Sequence, residues 1–350
     1  FQHIILSIFN DGIKFFGRDG FKLSDDAEEE IESLLESEQL NAVMAPDKIG
    51  RTRTVEDALG RYIVFVKNSV PRGMTFDGMD LVLDCANGAA YQAAPQVFEE
   101  MGASVRGLSM QPDGLNINLD CGSLHTERLR ELVRRTGANL GVALDGDADR
   151  VIFADEKGNE VDGDKIMGLI AADMIAHGQL SKNTLVTTVM SNIGLEIAMR
   201  EMGGSLVRTP VGDRYVVERM RRDGMNFGGE QSGHLIFLDY NTSGDGILSA
   251  LQVMKVMKET GKPLSELALR VQRFPQVLKN VEVKTRRDWN EIPELRKVIE
   301  ECNDKLKGSG RLLVRYSGTQ LLCRVMAEGE NEDMVRQMVD TVADAVSKHL

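Results

Sequence analysis

Residues 144–155 read LDGDADRVIFAD. Asp145, Asp147 and Asp149 alternate with Gly146 and Ala148, and an apolar run follows Arg150. Like charges this close repel, so a cation is the natural partner for them. Two kinds of metal loop fit three carboxylates at this spacing. An EF-hand starts D-x-D-x-D-G and closes on a Glu at its twelfth position, and counting from Asp145 the twelfth residue is Glu156. The sixth position, however, is Arg150 where that loop needs Gly for its turn, and VIFAD has the composition of a strand. The other kind is a tight inter-strand loop whose small residues let three carboxylates converge on one hard divalent ion. Oxygen-only ligands favour Mg2+ or Ca2+ over zinc.

Around this loop the chain alternates strand and helix signals. MDLVLDCANG, ASVRGLSM and LGVALDGDADR read as strands separated by helices in AAYQAAPQVFEEMGA and SLHTERLRELVRRTGA. That β-α-β-α-β order predicts a parallel sheet with crossover helices. The alternation starts again after residue 163 and ends in GDGILSALQVMKVMKETG, a helix by its apolar spacing. Before the first unit, 25–40 and 55–68 read as helices. After a boundary near Pro275, strands mix with helices at 290–306 and 331–348. The fold class is therefore α/β, with tandem α/β domains and a C-terminal α+β domain. The boundaries are a remnant at 1–45, then domains at 57–162, 163–268 and 276–350. The apolar opening FQHIILSIF suggests that residues 1–45 are the tail of a domain lying upstream.

Of 350 residues, 42 are Lys or Arg and 54 are Asp or Glu, giving a net charge of −12. The two signs are interspersed, which argues against a nucleic-acid partner. No stretch reaches the ~18 consecutive apolar residues of a membrane span, and the N-terminus is a poor signal peptide. Cys85, Cys121, Cys302 and Cys323 show no C-x-x-C spacing. They read as buried free thiols, and the expected compartment is the cytoplasm.

Two further loops carry chemistry. GGEQSGH (228–234) puts Glu230, Ser232 and His234 on a pliable backbone, a set suited to sugar hydroxyls, although a polar turn also explains it. RYSGT (315–319), completed by Arg324, offers guanidinium, hydroxyl and amide donors to a phosphate; an ordinary turn with a solvated arginine is the alternative. The Gly-x4-Gly-Lys spacing of a Walker loop is absent. Together the three loops suit phosphoryl transfer on a small phosphosugar.

These residues resemble the α-D-phosphohexomutases. The resemblance runs from Asp11 to the end, through DGIKFF (11–16), DCANGAAY (84–91), PDGLNINLDCGS (112–123), DGDADR (145–150), VGDRYV (211–216), GGEQSGHLIFLDYNTSGDG (228–246) and RYSGT (315–319). DCANGAAY together with GGEQSGHLIF points to the branch that acts on glucosamine phosphates. The resemblance implies four domains with mixed sheets around a cleft, a homodimer, and isomerase activity. The implied reaction interconverts glucosamine 6-phosphate and glucosamine 1-phosphate through a phosphoserine and a bisphosphate intermediate, on the route to UDP-N-acetylglucosamine. It further implies that Asp145, Asp147 and Asp149 hold Mg2+, and that Arg150 and Lys14 lie near the reacting groups. Glu230 and Ser232 would hold sugar hydroxyls, with His234 beside them. Arg315, Ser317, Gly318, Thr319 and Arg324 would clamp the distal phosphate, and Asp213 and Arg214 are weaker candidates for the cleft. Two departures stand out. Where the family has its Ser-Ala-Ser-His-Asn-Pro run, this chain reads HIILSIFND, so the nucleophile position falls on Ile5 or Ile4 and Ser7 matches neither. No nucleophilic serine is recognisable, and impaired turnover is the expectation. After Gly318-Thr319, Gln320-Leu321 replaces the family's Glu-Pro, removing a fixed φ from that turn.

Overall fold

The structure is a computed structural model that describes residues 2–5, 11–37, 51, 55–306, 310–317 and 321–350; at 2–5, 11–14 and 25 the description covers the backbone alone. Two compact units result, Phe1–Val189 with Leu206–Arg270, and Met190–Ser205 with Val271–Leu350.

The first unit opens on an antiparallel pair, β1 (Gln2–Ile5) and β2 (Asp11–Lys14). Helix α1 (Asp25–Glu36) is capped by the Ser24 hydroxyl, and α2 (Ala58–Lys67) follows. Then come β3 (Asp80–Asp84), α3 (Ala93–Glu100), β4 (Ser104–Leu108), α4 (Glu127–Thr136), β5 (Leu140–Leu144), β6 (Val151–Asp155) and β7 (Glu160–Val161). The sheet order is β4-β3-β5-β6-β7. Strands β3, β4 and β5 are parallel, as the alternating pattern predicts, but β6 and β7 run antiparallel. The cause is the length of the acidic loop. Leu144 pairs with Val151, so residues 145–150 must reverse the chain directly, whereas a parallel crossover takes a dozen or more residues. Every residue of β5 and β6 is buried, which explains their continuous apolar composition. Leu129 and Val133 of α4 fill the space over Val82, Ala143 and Ala154. Gly137, at φ 70°, ends that helix in the left-handed conformation.

The chain continues through α5 (Gly163–Ala176), β8 (Thr184–Thr188), α6 (Ile193–Glu201), β9 (Ser205–Thr209), α7 (Asp213–Asp223), β10 (Phe227–Gly229), β11 (Leu235–Phe237), α8 (Gly246–Thr260) and α9 (Leu264–Leu267). Its sheet order is β11-β10-β8-β9, with β10 parallel to β8 and antiparallel to β11. Helix α8 is buried along most of its length and capped by Asp245. The second unit contains β12 (Gln276–Glu282), α10 (Pro293–Leu306), β13 (Gly310–Tyr316), β14 (Leu322–Gly329) and α11 (Glu332–His349). Its antiparallel sheet runs β12-β14-β13. Val335, Met338, Val339, Val342 and Val346 form the buried stripe of α11. Helix α6, which its sequence neighbours place with the preceding α/β segment, clusters with this second unit. Asn192 is the link: its side chain donates to the Phe274 carbonyl at 3.0 Å and accepts from the Phe274 amide at 3.0 Å.

All four cysteines are buried and free, as their spacing predicts. Burial pushes the Cys85 thiol up to about 12. Among the described residues no helix is long and apolar enough to cross a membrane.

Leu129 has no exposed surface and touches residues from three strands, so Leu129→Ala should cost about 2–5 kcal/mol. Urea unfolding of the variant should show that loss as a lower midpoint with an unchanged slope.

Candidate functional site

The DGDADR segment is the six-residue connection between β5 and β6, and its shape is fixed by hydrogen bonds to its own ends. Asp145 accepts the Arg150 amide at 3.1 Å on Oδ1, and Ala148 donates its amide to the Asp145 carbonyl at 3.0 Å. Ala148 sits at φ 62°, a conformation that costs an L-residue energy and marks an imposed geometry. From the other side the Gly246 amide, at the start of α8, donates to the Ala148 carbonyl at 2.8 Å. Burial pushes the Asp145 carboxyl up to about 7, and Asp149 and Asp147 push in the same direction. Three oxygen donors that resist sharing negative charge match a hard dication. Among the described residues no acidic or imidazole trio stands ready in metal-ligating geometry. The loop thus supplies the donor chemistry, and the carboxylates would have to close around the ion.

The GGEQSGH turn lies directly against this loop. Residues 230–234 connect β10 and β11, whose Gly229 and Leu235 are paired. The Val151 amide donates to the Gly233 carbonyl at 3.0 Å, and Arg150 bridges to His234 in antiparallel fashion. A Cβ on Gly233 would stand 2.1 Å from the Val151 carbonyl oxygen, and φ is 89° there, so only glycine fits. Glu230 accepts the Gly212 amide on Oε1 at 3.1 Å, while Ser232 is exposed at the tip of the turn.

His234 is buried between two carboxylates. Its Nδ1 lies 3.7 Å from Asp149 Oδ2 and its Nε2 lies 3.6 Å from Asp213 Oδ2. Asp213, at the start of α7, is also paired with Lys22. Burial raises its pKa, but Lys22 and His234 outweigh that and hold the carboxyl below the usual range. Arg214 bonds Glu28 at 2.7 Å. Asp213, one of the weaker candidates, is thus brought to the candidate site. A cleft of about 700 Å3 opens beside Asp147 and Ala148, lined also by Phe16, Tyr62, Ala89 and Ser243. A smaller one of about 330 Å3 is lined by Lys22, Asp213 and Arg214 among others.

Several residues here are not among the sequence-level site candidates. Lys22 is one. Asn118 Oδ1 accepts the Gly146 amide at 2.9 Å. The Asp84 carboxylate, buried, takes the Ala86 and Gly122 amides at 2.9 and 3.1 Å. Asp245 is buried at the edge of the larger cleft, where Tyr62 donates to both its oxygens at 3.0 Å. Burial raises the Asp245 pKa, against the Leu248 amide and Tyr62, which lower it.

In the second unit Arg315 and Arg324 face each other across β13 and β14. Like charges directly opposite destabilise a ladder, and the Arg324 Nε is buried with no hydrogen-bond partner. Burial lowers the Arg315 pKa and Arg324 lowers it further. A bound anion would resolve both problems at once. Ser317 is buried just beyond β13, and its amide donates to the Leu322 carbonyl at 2.8 Å. Gly318 and Thr319 lie outside the described residues, as do Ser7 and Gln320. Lys14 ends β2, and its side chain is likewise outside the description.

Known proteins are similar to this chain in sequence and in fold. Residues 60–158 match the phosphoglucomutase/phosphomannomutase alpha/beta/alpha domain II, residues 162–274 match domain III, and residues 278–345 match the C-terminal domain. The chain belongs to the phosphohexomutase family. It is 54% identical over 342 residues to the phosphoglucosamine mutase of Syntrophotalea carbinolica, covering 97% of this chain and 75% of that protein. The crystal structure of a putative phosphomannomutase from Thermus thermophilus superposes with a TM-score of 0.69 at 19% identity, over 93% of this chain and 72% of that one. Aspergillus fumigatus N-acetylphosphoglucosamine mutase, solved in complex with GlcNAc-6P and magnesium, has a TM-score of 0.62 at 22% identity, over 82% and 68%. These structures share the fold. The sequence relatives place the chain among the phosphoglucosamine mutases, which are isomerases.

The Asp145 shift has a sign that can be checked without metal. A carboxyl raised from 3.8 to about 7 on folding leaves the native state holding more protons than the unfolded state between those values, so its ionisation destabilises the fold as pH rises through that window. In chelator-treated protein, Asp145→Asn should match the parent near pH 4 and gain stability relative to it up to about pH 7, with the difference level above that. Urea midpoints across pH measure it.

Proposed function

We propose that this chain binds a glucosamine phosphate and Mg2+ in the manner of a phosphoglucosamine mutase, with its residues in the following roles. Asp145, Asp147 and Asp149 hold the ion. Glu230 and Ser232 take sugar hydroxyls, and His234 keeps the acidic loop and the sugar turn in register. Arg150 faces the transferring phosphoryl group together with Lys14. Arg315, Ser317, Gly318, Thr319 and Arg324 take the phosphate that does not react. The observation that carries the reading is the joining of the two hairpin loops: one backbone hydrogen bond and one bridge fix the sugar turn against the acidic loop. The facing arginines support the phosphate clamp, because a doubly charged anion would reverse their repulsion.

When bound, Mg2+ would neutralise charge developing on the transferring phosphoryl oxygens. The protein's own share is orientation. Glu230, held by the Gly212 amide, presents a fixed carboxylate to neighbouring hydroxyls. In the second unit, bidentate guanidinium contacts from the facing arginines would hold a phosphate group. The same proposal includes a homodimer and a cytoplasmic setting, the latter supported by four free buried thiols.

The covalent step needs a serine that receives and returns the phosphoryl group. With Ile4 or Ile5 at that position, the polypeptide should bind Mg2+ and glucosamine 6-phosphate yet show no conversion to glucosamine 1-phosphate, even when supplied with the sugar bisphosphate. Robust turnover would overturn the reading of HIILSIFND. For the clamp, Arg324→Ala should weaken binding of glucosamine 6-phosphate by about 10-fold or more, the loss of a charge-assisted bond, while leaving Mn2+ binding unchanged in a direct titration.

A further inference from the structure

Gly146 lies between two of the three aspartates, and the peptide groups on either side of it are both held by other loops. Its amide donates to Asn118 Oδ1 at 2.9 Å, and its carbonyl accepts the Ala89 amide at 2.8 Å. Asn118 is itself fixed, its amide donating to the Ala86 carbonyl at 2.9 Å, while Asp84 holds the Ala86 amide. Asn87 ties the same two loops together: its side chain donates to the Asn116 carbonyl at 3.3 Å and accepts the Gln111 amide at 3.1 Å. Positive φ angles concentrate here. Ala86, Asn87, Ser109, Asn118, Asp120 and Ala148 all have them, against only Lys182 and Asn183 elsewhere among the described non-glycine residues. Such conformations persist where the surroundings over-determine them. Contact is close as well, since a Cβ on Gly146 would stand 2.7 Å from Asn118 Nδ2 and from Ile117 Cδ1.

We propose that Asn118 is a positioning residue for the metal loop: its side-chain oxygen sets the Gly146 peptide, and through it the directions in which Asp145 and Asp147 leave the backbone. Asn118 itself need touch neither ion nor sugar. At φ 57° the position suits asparagine, which tolerates the left-handed region while keeping an acceptor. The alternative is that Asn118 only closes its own loop. In that case its loss would lower stability and leave the metal alone.

The inference rests on the proposed metal role of the three aspartates, and the test separates the two. Mn2+ is titrated into the protein by electron paramagnetic resonance, with amide hydrogen exchange of residues 145–150 followed in parallel. Asn118→Gly keeps access to positive φ and removes the side-chain acceptor. It should weaken Mn2+ binding by about 10–100-fold, the usual cost of losing a group that orients a ligand, and speed exchange at the Gly146 amide. Asn118→Asp restores an acceptor and should recover both. Asn118→Ser, too short to reach Gly146, should behave as the glycine variant and serves if the latter does not fold. A parent protein that binds Mn2+ alongside an Asn118→Gly variant that binds it within twofold would overturn the role of Asn118 alone. A parent that binds no Mn2+ would overturn the metal reading and this inference with it.

Discussion

Electrostatic repulsion within one short loop is the constraint around which this structure is built. Asp145, Asp147 and Asp149 are brought together by a six-residue reversal between two buried strands, and burial makes the Asp145 charge harder to keep. The Arg150 and Ala148 amides, both donating to Asp145, hold the loop from within. The surrounding chain holds it from outside through contacts at several points: Asn118 and Ala89 on the Gly146 peptide, Gly246 on the Ala148 carbonyl, and Gly233 on Val151. Each partner is the end of a strand, the start of a helix or the tip of a turn. The scaffold of two α/β sheets delivers those ends to one place, which is where open α/β sheets commonly bind ligands.

The GGEQSGH turn is held in place by the same arrangement. A hairpin tip of Glu, Gln, Ser and Gly would be ordinary on a free surface. Here Arg150 bridges to His234, and His234 stands between Asp149 and Asp213. The turn and the acidic loop are therefore coupled through one buried imidazole. Lys22 completes the row by pairing with Asp213, so acidic and basic groups alternate across four residues from separate stretches of chain.

How much of this can be read from the sequence depends on distance along the chain. The acidic loop, the Glu-Gln-Ser turn and the arginine-serine turn are each local, and residue type with spacing is enough to single them out. Strand and helix order follows from periodicity in the same way. The reversal of β6 is harder: VIFAD has the same buried composition whether it runs parallel or antiparallel, and only the shortness of residues 145–150 decides it. Lys22 and Asp213 are separated by 191 positions, Tyr62 and Asp245 by 183, and Asn118 and Gly146 by 28. No pattern in one stretch announces such pairs. The membership of α6 is hidden for the same reason, since its anchors are Phe274 and the fully buried Glu328, whose carboxylate accepts the Ile193 amide at 2.9 Å.

That last attachment has a consequence for how the polypeptide can be divided. The main chain passes between the two compact bodies three times, after Val189, after Ser205 and after Arg270. A fragment cut at Val271 would carry β12, β13, β14, α10 and α11 but would leave behind the helix whose amide bonds the buried Glu328 and whose Asn192 secures Phe274. The C-terminal body is therefore discontinuous in the gene, and its excision as a contiguous piece would strip the cover from an acidic side chain that the intact protein keeps away from water.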